Sequence, residues 1–116
     1  MTATAFDTLS LRPPVEAALR EARTELAQIY GNRLIKVILY GSHARGEAHP
    51  ESDVDVLFVL QGDFSFTDEL KRTNPLVSQI LLKHHELLAL LPMAASRLHD
   101  PLHPLMINVR KEGVEL

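Results

Sequence analysis

Residues 40–60 read YGSHARGEAHPESDVDVLFVL. A Gly-Ser pair ends one apolar run, ten residues follow, and Asp53 and Asp55 open a second. Ionised carboxylates at the threshold of a buried strand are costly unless positive charge sits between them. Strand side chains alternate with a period of two, so Asp53 and Asp55 fall on one face. A pair of hard oxygen ligands suits Mg2+. At the other end of the stretch, Gly41 allows the main chain to approach a phosphate closely. Ser42 offers a hydroxyl, and amides at a helix start add an anion-binding concavity. Arg45, one helical turn from Gly41, is open to two readings, a surface residue or a bidentate donor to phosphate oxygens. One strand end therefore meets phosphate and the next holds the metal, an arrangement for phosphoryl or nucleotidyl transfer.

The flanking sequence supplies a small α/β (α+β) domain with one sheet. Residues 14–30 place Val15, Ala18, Leu19, Ala22, Leu26, Ile29 and Tyr30 at helical spacing, and Gly31-Asn32 stops that helix. LIKVILY (34–40) is short and β-branched, and reads as a strand; DVDVLFVL (53–60) reads the same way. A second long helix is expected over 66–82, capped by Ser65 or Thr67, with Phe66, Leu70, Val77, Ile80 and Leu81 facing inward. Asn74-Pro75 should kink or split it. ELLALL (86–91) is expected as a third strand ended by Pro92, and HPLMINVRKEGVEL as a helix from Pro104 to a stop at Gly113.

A chain of 116 residues, 46% hydrophobic and 23% charged, suits a single domain over 1–116. The formal net charge is −3 and the basic residues are scattered, which disfavours direct nucleic-acid binding. No apolar stretch approaches a membrane span of about 18–20 residues. MTATAFDTLS lacks the basic and apolar regions of a secretory signal. The chain has no cysteine, which excludes disulfides and thiolate metal sites and agrees with a cytoplasmic location.

Gly-Ser, ten residues and then Asp-x-Asp resembles the signature of the DNA polymerase β-type nucleotidyltransferase superfamily. The short length, and a tail ending EGV before its last two residues, are similar to the minimal nucleotidyltransferases (MNT). The resemblance implies a small polymerase β-like domain, one mixed sheet flanked by helices. It implies an enzyme that transfers AMP from ATP to a tyrosine of a HEPN-type ribonuclease toxin, silencing it as its antitoxin in a hetero-oligomer. Carried onto this chain, Gly41, Ser42 and Arg45 would hold the triphosphate while Asp53 and Asp55 bind Mg2+.

Many members of that superfamily carry a third carboxylate on the next strand. Here the region reads KHHELLALL (83–91), whose one acid is Glu86, with His85 beside it. Glu86 is the candidate third catalytic and metal-binding acid; a shift of one residue would turn it to the wrong face. His43 and His49 lie in the motif loop, where nucleotide contact and exposed loop polarity are both open readings. His99 and His103 are separated by Pro101 and are not expected to form a zinc site. Two other functions stay open beside protein AMPylation. One is a module that blocks its partner by contact alone, and the other transfers a nucleotide to a small hydroxylated substrate.

Overall fold

The computed structural model describes Phe6 and residues 9–116, so most of the stretch read above for a secretory signal lies outside the described residues. The chain enters helix α1 (Pro13–Tyr30), whose first turn accommodates Pro13 and Pro14 where amides have no helical partner. Val15, Ala18, Leu19, Ala22, Leu26 and Tyr30 are buried as the spacing predicts, while Ile29 stays exposed. Gly31, at φ +55, ends the helix. Strand β1 (Leu34–Tyr40) and the four-residue helix α2 (Ser42–Arg45) come next. Strand β2 (Val54–Leu60), helix α3 (Phe66–His84), strand β3 (Leu88–Ala94), helix α4 (Pro104–Glu112) and the two-residue strand β4 (Val114–Glu115) complete the order.

The sheet is mixed, in the order β3-β2-β1-β4. β1 pairs antiparallel with both β2 and β4, while β2 and β3 run parallel. Alternation along β2 sends Val54, Val56, Phe58 and Leu60 into a core shared with α1 and α3. Leu57 and Val59 go to the opposite face, where they meet Met106 and Val109 of α4. Each fully buried side chain of this size contributes about 1.5–3 kcal/mol. The face with Leu57 and Val59 also carries Asp55.

Three expectations are corrected. Helix α3 is continuous through Pro75, neither split nor ended there. A proline costs about 3 kcal/mol inside a helix, and burial of Leu76 and Ile80 against the core offsets that loss. The inward face of α3 is also rotated. Glu69, Thr73, Leu76 and Ile80 are buried, whereas Phe66 is 49% and Leu81 42% exposed. The two polar members bury because their needs are met locally. Glu69 accepts from Arg72 Nε at 3.0 Å, and the Thr73 hydroxyl donates to the Glu69 carbonyl at 3.0 Å. Finally, β3 starts two residues later than expected and continues through Pro92. It lies at the sheet edge, where a missing N–H can face away from the ladder.

Candidate active site

In the β1–β2 ladder Tyr40 stands opposite Asp55, so the turn leaving β1 begins beside that carboxylate. Gly41 makes the turn at φ +76, ψ −157, a conformation that side-chain-bearing residues rarely adopt. A Cβ at this position would also overlap Oδ2 of Asp55. Glycine is therefore required twice, for the torsion and for the close approach. The amides of Ala44 and Arg45 then bond the Gly41 carbonyl at 3.1 Å each, forming α2, and Gly46 at φ +73 closes it. Ser42 is half-buried at the start of this turn, and Arg45 is exposed at its end.

Asp53 is exposed immediately before β2, and Asp55 is half-buried on the strand itself. Burial, followed by the charge of Asp53, raises the Asp55 carboxyl above its ordinary value. Glu112 adds to that rise, while His43 and Arg45 oppose it. The facing Tyr40 phenol is pushed up to about 12, by burial first and by Asp55 second. Burial is the main cause of both shifts, and neighbouring negative charge adds to it. Two hard carboxylates side by side fit a divalent cation of the Mg2+ class, which would lie against Asp53 and Asp55.

Arg45 is held between two acids. Its Nε donates to Glu47 Oε2 at 2.9 Å and its Nη1 to Glu112 Oε2 at 3.0 Å. The other oxygen of Glu112 accepts the Gly41 N–H at 3.2 Å. Glu112 thus reaches the turn from the last residue of α4, and Arg45 foremost holds its carboxyl below the usual range. Sequence reading missed this residue. The signal available was only an acid next to a helix-ending glycine, 67 positions from its partner Arg45.

His43 is also placed differently from an exposed loop residue. It is 7% exposed, and neither ring nitrogen has a hydrogen-bond partner of ordinary geometry. Burial keeps its imidazole below the usual value. His49 is exposed.

The expected third acid does not join the pair. Glu86 precedes β3, is 6% exposed and pairs with Arg12 Nη2 at 3.1 Å. Parallel register sets Ala89 opposite Asp55, so Ala89, Leu91 and Met93 share the face of Asp55. Glu86 has the opposite parity, that of Leu88 and Leu90, which belong to the core under α1 and α3. One residue of register separates the two outcomes. Among the described residues no three His, Cys, Asp or Glu side chains gather as a metal site, and Glu86 does not stand with Asp53 and Asp55. His85 does not take the place either: it is exposed and ends α3 at φ +59.

A cavity of about 680 Å3 lies at the other end of the sheet, between Gly62–Phe64 after β2 and Leu91–Ala94 of β3. It is remote from the turn, because β2 and β3 both run away from the carboxylates.

Comparison with known proteins bears on the family and the fold. The family described as "Nucleotidyltransferase domain" matches residues 19–111. Two proteins of Methanocaldococcus jannaschii that carry the name protein adenylyltransferase are similar in sequence. MJ0604 is 38% identical over 69 residues, which are 60% of this chain and 63% of that protein. MJ0141 is 32% identical over 71 residues, 61% of this chain and 71% of that protein. The chain thus spans less than two thirds of the length of the first.

Among solved structures, a toxin–antitoxin complex with AMP-PNP superposes with a TM-score of 0.58 at 18% identity, covering 82% of this chain and 70% of that one. A nucleotidyltransferase from Sulfolobus solfataricus gives 0.54 at 20% identity, covering 91% and 87%. A variant of the MntA–HpeT toxin–antitoxin gives 0.56 at 16% identity, covering 84% and 70%. At these identities the structural matches speak for the fold alone.

Proposed function

The chain belongs to the nucleotidyltransferase domain family, and on that footing we propose that it transfers AMP from ATP to a tyrosine hydroxyl of a partner protein, a HEPN-type ribonuclease toxin that it silences. The observation that carries this reading is the contact between the Gly41 turn and Asp55. It sets a phosphate-holding turn directly against a pair of carboxylates. The names of the archaeal relatives and of the toxin–antitoxin neighbours support the choice of a protein acceptor.

In this reading Gly41 gives the phosphates close access to the main chain. The Ser42 hydroxyl donates to them and Arg45 offsets their charge. Asp53 and Asp55 hold Mg2+, which neutralises charge building on the phosphate oxygens. The acceptor oxygen bonds to the α-phosphorus, the bond to the β-phosphate oxygen breaks, and pyrophosphate leaves. The hydroxyl proton goes to a base. With leaving phosphates on the β1–α2 side, in-line attack brings the acceptor over β3. The exposed setting of Asp53 fits a site completed by a partner, and hence a hetero-oligomer.

Ala89 and Leu91 favour a second reading, because no acid on that face of β3 activates the acceptor. There the domain keeps the nucleotide half of the site and blocks its partner by contact. Incubation with Mg2+, ATP labelled at the α-phosphate and the product of the adjacent gene separates the two. Label on a partner tyrosine supports transfer, and a stable but unlabelled complex supports contact.

A further inference from the structure

Of the two carboxylates on Arg45, one is anchored and the other is loosely held. Glu112 uses both oxygens, one on the Gly41 N–H at 3.2 Å and one on Arg45 Nη1 at 3.0 Å, and its side chain is 22% exposed. Glu47 uses one oxygen, on Arg45 Nε at 2.9 Å, and its side chain is 66% exposed. The anchoring of Glu112 extends into the fold. Gly113 follows it with its amide on the Val109 carbonyl at 2.7 Å, and a Cβ there would collide with that carbonyl. Val114 and Glu115 then pair with Leu39 and Ile38, and the Leu116 amide bonds the Val37 carbonyl at 2.9 Å. Glu112 is therefore held at one end by α4 and at the other by a strand hydrogen-bonded to β1, whose own end carries Gly41.

We propose that Glu112 is a positioning residue of the nucleotide site, fixing the Gly41 turn and one arm of Arg45, and that Glu47 occupies the place which a phosphate oxygen takes from it. The chemistry distinguishes the two acids. A carboxylate bridging two donors on separate elements loses two charge-assisted bonds on leaving. An exposed single pair has little to lose, since such contacts are weak in water. When Glu47 leaves, the Arg45 Nε–H faces the incoming anion while Nη1 remains fixed. Glu112 touches no reacting atom in this arrangement and acts through Gly41 and Arg45.

This role rests on the nucleotide-binding reading above, and the test keeps the two apart. The native chain is titrated with ATP and Mg2+ by calorimetry, beside Glu112→Gln and Glu47→Gln. ATP binding to the native chain is the control for the underlying reading, and its absence would defeat that reading itself. Given native binding, Glu112→Gln is expected to bind ATP about tenfold more weakly, as loss of hydrogen bonds to a charged group implies. Glu47→Gln is expected to bind at least as tightly as the native chain. Glu112→Gln binding like the native chain, or both variants weakening alike, overturns the assignment.

A measurement on the native chain covers the case in which Glu112→Gln does not fold. The Gly41 amide is expected to be protected from hydrogen exchange without ATP and to stay protected with it, while the Arg45 Nε–H resonance shifts on titration. Loss of Gly41 protection when ATP enters, or an Arg45 Nε–H that does not respond, would also overturn it.

Discussion

Gly41 and Asp55 meet so closely across the β1–β2 ladder that the absence of a side chain at Gly41 is what makes room for the Asp55 carboxylate. Replacement by alanine therefore has two costs, a positive φ of 76 and an overlap with Oδ2. Gly41→Ala is expected to lose about 1–3 kcal/mol of stability, the usual magnitude for such backbone strain. Its AMP transfer should fall further than the stability loss accounts for. Chemical denaturation and a transfer assay at a temperature where the variant is folded check this. A variant of native activity would contradict the close-approach role.

Asp55→Asn should separate function from stability. Burial and Asp53 raise the Asp55 pKa in the fold. The group therefore favours folding most below its unfolded value, and that contribution is lost as pH rises through the folded value. At neutral pH the ionised carboxylate is a net cost, so Asp55→Asn is expected to melt at or above the native temperature. Its transfer rate should fall by more than the about 10–100-fold that loss of an outer-shell metal partner costs. Asp53→Asn is expected to lose transfer too, with its fold retained.

Glu86→Gln provides the opposite case. Glu86 is buried beside Arg12 and away from the face of Asp55. The variant should keep transfer close to the native rate. Removing the partner, in Arg12→Ala, leaves a buried charge unpaired and should destabilise by about 1–3 kcal/mol. Melting curves and transfer rates on both variants check this. Complete loss of transfer in a folded Glu86→Gln would restore Glu86 as the third acid.

A pH effect is expected far from the site. Glu21 of α1 joins α3 through Lys83 Nζ at 2.7 Å, His84 Nε2 at 3.2 Å and Gln79 Nε2 at 3.1 Å. Lys83 foremost lowers its pKa from 4.5 to about 2. A depressed carboxylate stabilises the fold above its unfolded pKa, and the contribution fades as pH falls through the folded value. Thermal melts from pH 5 down to about 2 should show a decline that is shallower in Glu21→Gln. Parallel curves would contradict this link between the helices.

Sequence reading reached what local spacing determines. The limits of β1, the stop at Gly31 and the pairing of Gly41-Ser42 with Asp53 and Asp55 all follow from residues near one another in the chain. The rest depends on distant neighbours. Glu69 and Thr73 are absent from the apolar inward face expected for α3, yet local hydrogen bonds let them bury. Pro92 reads as a strand end, and the edge position of β3 removes that objection. Glu86 and Ala89 differ in face by parity alone, and the register of β3 is set by its partner β2. Glu112 could not be read at all, because strand pairing across the sheet is what carries it back to Gly41.

Transfer of α-labelled AMP to the partner protein in the presence of Mg2+, run beside Asp55→Asn, puts AMP transfer at this site to the test. Label is expected on one or more tyrosines of the partner with the native chain and none above background with the variant. A native complex that forms and stays unlabelled, or equal labelling by Asp55→Asn, would contradict it.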